Sequence, residues 1–177
     1  MKNIFLVACL AAASSPAFGQ DLKLDHLDRL SAKATDTVNV TLDGSLLRMA
    51  SRFLSDDSDE VEIKKLVGGL KAIMVRSFEF KNSGEYLESD VEAIRSQLRD
   101  PAWKKIIEVR SKVDGNADIY LRTEGDHVVG ATLISAEPKE LTIVHIDGTV
   151  DLEGLRKIAG NFGVPSSMRK KMEGKGK

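Results

Sequence analysis

Four short β-strands separated by tight turns are predicted between Lys104 and Val150, and they constrain the fold more than any other part of the sequence. Turn-forming residues such as Gly115, Gly125 and Pro138 separate the strands. The strands are predicted at Lys104–Lys112, Ala117–Glu124, His127–Glu137 and Leu141–Val150. Because connections this short join only antiparallel neighbours, the stretch is predicted to form a meander.

The first two of these strands alternate between apolar and polar residues. Ile107 and Val109, then Ile119 and Leu121, share one face, which we expect to be packed. The opposite face is expected to be in water, and it carries Glu108, Arg110, Lys112, Asp118, Tyr120, Arg122 and Glu124. The charges on that face fit cross-strand pairs.

The last two strands carry apolar residues on both faces. These residues are Val128, Val129, Leu133, Ile134, Leu141, Ile143, Val144 and Ile146. The pattern predicts central strands that are covered at least partly on both sides. We interpret the additional apolar surface as ordinary core together with an oligomer contact. A surface for a ligand or a partner is the alternative.

The segments around the meander predict helices and two further strands. Leucines at helical spacing indicate a short amphipathic helix over residues 22–34. The two strands are predicted at Thr37–Leu42 and Lys71–Phe80. Further helices are predicted to start near Asp43, Val61, Ser89 and Asp151, and Trp103 is placed in a short turn after Asp100-Pro101. Together these elements predict an α+β fold, with an antiparallel or mixed sheet of about six strands and helices mainly on one face.

Residues 1–19 have the pattern of a secretory signal peptide. Lys2 precedes a short apolar run, and Ala17-Phe18-Gly19 forms a cleavage site before Gln20. A lipid-attachment site at Cys9 is the alternative, but most of the apolar run follows that residue. The sequence therefore predicts export, to the periplasm, with a lipid-anchored or extracellular protein as alternatives. Cys9 is the only cysteine, so the exported chain would have no disulfide and no thiolate.

The rest of the chain is predicted to be one α+β domain over residues 20–165, followed by a disordered basic tail over residues 166–177. The tail has five basic residues against one acidic residue, so a weak contact with an anionic membrane is its alternative role. The net charge of the whole chain is −1, which gives no general attraction to nucleic acid.

Few residues point to chemistry. None of the three histidines has a partner at metal-ligand spacing, and no nucleophile, phosphate-loop or dinucleotide motif occurs, so we expect no metal and no cofactor. His145 and Asp147 lie two positions apart on one face of a predicted strand, which makes them the best acid–base candidate. The alternative interpretation is that His145 is a hydrogen-bonded structural residue, and we favour it.

The order of elements and several segments resemble domain-of-unknown-function family 4252 of bacteria. The similarity covers residues 25–160. The matching segments are Val38–Leu42 followed by Leu46–Met49, Leu70–Val75, Trp103 with Ile106–Val109, Ile119-Tyr120, Gly125-Asp126, Glu137-Pro138 before Leu141–Val144, and Gly148–Glu153. The resemblance implies a small exported α+β protein of Gram-negative bacteria, and it implies no particular activity or site.

These observations leave two main classes of function. The first is a non-enzymatic protein of the cell envelope that binds another envelope protein or senses a small ligand. The second is an envelope hydrolase with a site near His145 and Asp147. Because every recognisable motif of catalysis is missing, we favour the binding protein.

Overall fold

The computed structural model describes residues 22–52, 64 and 67–150. A 3-10 helix spans Asp25–Ala32, and two α-helices, α1 and α2, span Gly44–Ser51 and Glu88–Gln97. The strands are β1 (Asp36–Asp43), β2 (Leu70–Glu79), β3 (Trp103–Ser111), β4 (Gly115–Glu124), β5 (His127–Glu137) and β6 (Glu140–Gly148). The predicted signal peptide, the helix predicted from Asp151 and the predicted tail lie outside the described residues, as does most of the helix predicted from Val61.

The six strands form one sheet in the order β1-β2-β6-β5-β4-β3, and every neighbouring pair is antiparallel. The predicted α+β fold and the predicted meander are confirmed, because β3 to β6 follow one another across the sheet. The hairpin of β1 and β2 joins the free side of β6. As a result β1 and β3 are the two edges of the sheet.

One face of the sheet, which we call the helix face, is covered by α2 and the 3-10 helix. The leucines predicted to line a helix near the N-terminus are buried, although that helix is of the 3-10 type. Side chains that are at most 1% exposed form this core: Leu27, Leu30, Phe78, Val91, Ile94, Ile134, Leu141 and Ile143. Each such side chain contributes about 1.5–3 kcal/mol on burial, so this face supplies most of the core.

The opposite face, which we call the second face, has a smaller core at one end. Leu47 of α1 packs there with Leu70 and Val150 against Ala131 and Ile146 of the sheet. The side chain of Asp43 starts α1 by accepting hydrogen bonds from the backbone N–H groups of Ser45 and Leu46. The described helices therefore lie on both faces, with the 3-10 helix and α2 on the helix face and α1 on the second face.

The structure reverses the predicted burial of β4, whereas Glu108 and Arg110 of β3, predicted to be in water, are exposed. The side with Asp118 and Tyr120, predicted to be in water, is the helix face, and these two residues are 0% and 5% exposed. Ile107 and Ile119, predicted to be packed, lie on the second face and keep part of their surface in water. The physical reason is that α2 places Arg95 over the polar side of β4, which allows a carboxylate to be buried.

Two local predictions agree with the structure. Helix α2 starts at Glu88, one residue before Ser89, and the carboxylate of Asp90 accepts a hydrogen bond from the backbone N–H of Leu87 at 2.9 Å. Trp103 closes the predicted turn, since its backbone N–H donates a hydrogen bond to the carbonyl oxygen of Asp100 at 2.9 Å, and it is also the first residue of β3 and buried. None of the helices in the described part of the chain combines the length and the apolar character that crossing a membrane requires.

Candidate functional site

A continuous line of aliphatic side chains crosses the second face. Six residues occupy directly opposite positions on the six strands, one on each strand. From β1 to β3 this apolar row consists of Val40, Val75, Val144, Leu133, Ile119 and Ile107. Directly opposite residues on antiparallel strands have Cβ atoms about 4.5–5.5 Å apart, so the six side chains form one apolar strip.

None of the six side chains of the apolar row is fully buried by the described residues. Val40 and Ile107, at its two ends, are each 36% exposed, and the four residues between them are half-buried. Their neighbours on the helix face, such as Phe78 and Ile143, are almost completely buried. An apolar strip of this length that remains partly in water is a candidate contact surface.

A row of acidic residues runs parallel to the apolar row, on the side away from α1. The line of residues between the apolar row and the acidic residues includes Ser77 and Thr142, whose hydroxyl oxygens are 2.7 Å apart. The next line, the acidic row, consists of Asp36, Glu79, Glu140 and Glu137 on four neighbouring strands. Like charges directly opposite one another repel, so this end of the second face favours a cationic group.

The structure places His145 and Asp147 on the helix face, two positions apart on β6 as predicted, and gives each a different polar partner. His145 is buried, and its Nδ1 lies 2.9 Å from the hydroxyl of Thr132. The guanidinium of Arg122 donates a hydrogen bond to the Asp147 carboxylate at 2.5 Å. The Thr132 contact fits the interpretation of His145 as a hydrogen-bonded structural residue.

His145 also lines a cleft of about 700 Å³ between the 3-10 helix, the end of α2 and β3. The ring of Trp103 forms another part of its wall, with its centroid 5.8 Å from that of His145. Asp25, His26 and Asp100 add polar groups to the lining. His26 is tied to α2, since its Nε2 lies 3.0 Å from the backbone carbonyl oxygen of Asp90. The sequence did not predict that His26 and His145 line the same cleft.

An ion cluster surrounds the buried Asp118 on the helix face. The Nε atom of Arg95 donates a hydrogen bond to Asp118 Oδ2 at 2.9 Å. On the other oxygen, Oδ1, the cations of Arg110 and Lys105 lie at 2.8 and 3.5 Å. Glu108, directly opposite on β3, pairs with the same two cations but is 52% exposed. Cross-strand charge pairing was predicted for this region, whereas the contribution of Arg95 from α2 was not.

The charges of this cluster affect the protonation of its cations. Burial lowers the pKa of Arg95 and of Lys105, but hydrogen bonds and neighbouring carboxylates, including Asp118, outweigh that effect. The pKa of each cation is therefore raised above its ordinary value. Arg95 and Lys105 remain charged at neutral pH and compensate the buried carboxylate, which gives the cluster a structural role.

The described residues contain no group of three or more His, Cys, Asp or Glu side chains that is arranged to hold a metal ion.

The fold and the surfaces above define a small α+β protein, in whose described residues one antiparallel sheet carries two helices on one face and one on the other. The chain belongs to the family described as domain of unknown function (DUF4252), whose model matches residues 31–158. Neither the curated proteins nor the solved structures gave a match to this chain.

Proposed function

We propose that the protein is a non-enzymatic binding module of the bacterial cell envelope and that it contacts another envelope component through the apolar row. The observation that carries this proposal is the apolar row itself, which has one aliphatic residue on each of the six strands, none of them fully buried by the described residues. Water-exposed apolar surface costs roughly 25 cal/mol per Å², which a partner covering the row would recover.

The surroundings of the apolar row indicate the chemistry of its partner. The row itself contains only Val, Leu and Ile, so the matching surface is apolar. The acidic row lies on the same face, two positions along each strand from the line that includes Ser77 and Thr142. A partner with an apolar patch that is bordered by lysine or arginine would match both features.

A lysine in the apolar row is expected to abolish binding of this partner. Val144→Lys places a charge at the centre of the row, and Ile107→Lys places one at its β3 end, where the side chain is already 36% exposed. Burying either charge in an apolar contact costs several kcal/mol. The measurement is a photo-crosslinker at Leu133, activated in envelope preparations of the expressing bacterium. The expected result is one reproducible crosslinked partner that both variants lose.

Val113→Lys is the matched control. It is the same kind of substitution in the turn between β3 and β4, where Val113 is 79% exposed and outside the row. Crosslinking should survive in this variant, and circular dichroism should show that all three variants are folded. A partner that is retained by Ile107→Lys, or the lack of any specific crosslink, would contradict the proposed contact surface.

The envelope location rests on the signal-peptide pattern of residues 1–19. If the pattern acts as a signal, the exported protein begins at Gln20. Intact-mass spectrometry of the protein from a periplasmic fraction should give the mass of the chain from Gln20 to Lys177. A chain that keeps Met1, or a lipid-modified chain that begins at Cys9, would show that this location or its mechanism is wrong.

A hydrolase with a site near His145 is the second candidate, and the cleft lined by His145 and Trp103 supports it. The histidine would serve as the general base. A screen against ester, peptide and glycoside substrates tests this candidate, with His145→Ala as the inactivating variant. His127→Ala is the control, because His127 is an exposed histidine at the start of β5. Turnover lost only in His145→Ala would replace the binding proposal, and we expect no turnover.

A further inference from the structure

The edge strand β1 has the features of a strand that accepts a partner strand. No described strand pairs with its outer side, and seven of its eight residues are exposed. It pairs with β2 over its whole length without a register shift. It contains no Lys, Arg or Pro, and its only charged residues, Asp36 and Asp43, are at its two ends. A regular edge without such residues presents its backbone N–H and C=O groups for pairing.

The opposite edge, β3, is protected against strand pairing. Its register with β4 shifts between Lys105 and Ile107, which indicates a β-bulge. It also carries basic residues at Lys104, Lys105 and Arg110. Natural edge strands avoid pairing with other strands by means of bulges and lysines. Because β3 has both features and β1 has neither, β1 is the edge that is available for pairing.

The sequence of β1 is complementary to itself in one antiparallel register. If Val40 lies opposite Val40 of a second copy, then Val38 lies opposite Leu42, and every aliphatic residue of the strand faces another aliphatic residue. On the helix face Asn39 then lies opposite Thr41, and no two like charges are opposed. A shift of one residue would instead place Asp36 opposite Asp43 and exchange the two faces of the strand.

We propose that β1 pairs with β1 of a second copy of this chain in this register. The two-fold axis passes midway between the two Val40 residues at right angles to the sheet, so both second faces lie on the same side of the dimer. The two six-stranded sheets become continuous, and the two apolar rows meet at Val40 to form one longer strip. The proposal depends on the edge of the sheet and is independent of what the apolar row binds.

A charge-exchange experiment with the purified full chain tests the dimer. Val40→Lys places two lysines opposite each other at the axis, and Val40→Glu places two glutamates there. Each variant is expected to weaken the dimer about 100-fold or more, because like charges in an interface cost several kcal/mol. An equal mixture of the two variants is expected to dimerise again through a Lys–Glu pair. Sedimentation equilibrium measures the dissociation constant in each case.

Ile107→Lys is the matched control for this experiment. Ile107 is the other end of the same row and has the same exposure of 36%, but it lies at the β3 edge. This variant is expected to remain dimeric, even if it loses the envelope partner, so the two proposals can fail separately. Monomeric wild-type protein, a Val40→Lys variant that stays dimeric while folded, or a mixture that stays monomeric would each overturn the proposal.

Discussion

Replacing Asp118 by alanine is expected to lower the free energy of unfolding by about 3–5 kcal/mol. The carboxylate is completely buried, and it accepts a hydrogen bond from Arg95 while two further cations surround its other oxygen. Removal of the carboxylate would leave the largely buried Arg95 side chain with only Glu88 and Glu92 as charged partners, and both of these are solvent-exposed. Breaking a buried ion pair in this way costs more than the pair itself contributes, because the remaining charge is only partly compensated in a poorly solvated site.

Glu108→Ala provides a matched control for that measurement. Glu108 lies directly opposite Asp118 and pairs with the same two cations, Lys105 and Arg110, but solvent screens these pairs. Its loss is expected to cost only about 0–1 kcal/mol. Urea denaturation of the two variants and the wild type gives both values. Equal costs for the two substitutions would show that burial is not what makes Asp118 important.

Trp103→Ala is expected to lower the free energy of unfolding by about 3–5 kcal/mol. The ring is 9% exposed and lies between the backbone of β5 and the cleft. A Cβ atom on Gly130 would be only 3.1 Å from Trp103 Cη2, which shows how closely the ring approaches β5. The guanidinium carbon of Arg122 lies 5.5 Å from the ring centroid, so the substitution also removes a cation–π contact.

Trp103→Phe separates these contributions, because it keeps an aromatic ring in the same place. Its cost should be clearly smaller than that of Trp103→Ala. Unfolding should be followed by far-ultraviolet circular dichroism, since Trp103 is the only tryptophan and its variants lose the fluorescence signal. A denaturation midpoint of Trp103→Ala within error of the wild type would show that the ring does not pack as described.

The features that were predicted best from the sequence are the turns and the strand positions, because they depend on residues that are close together in the chain. The turn at Gly125, with a positive φ of 58°, separates β4 and β5 where it was expected. Each predicted strand lies within two residues of the observed one. The pairing of β2 with β6 was not predicted, because alternation of residues within one strand contains no information about which distant strand lies beside it.

The main error concerns the faces of β4 and has an electrostatic cause. An alternating strand with Asp118 between apolar residues is expected to turn that residue towards water. The compensating Arg95 is 23 positions away and on a helix, so the strand pattern alone could not reveal it. The apolar row could not be predicted either. Val144 and Ile107 were both recognised as apolar, but their alignment depends on the register of all six strands, which no single strand pattern reveals.

The position of β2 beside β6 has a consequence for the speed of folding. The ladders between β3, β4, β5 and β6 join strands that follow one another in the chain, so each closes a short loop. The ladder between β2 and β6 must instead close a long one, since Ser77 and the Thr142 hydroxyl it contacts are 65 positions apart. The entropy of closing that loop is lost before its contacts form, which slows the step. During synthesis from the N-terminus, the β1–β2 hairpin therefore remains without its neighbouring strand β6 until all the other strands of the sheet have been made.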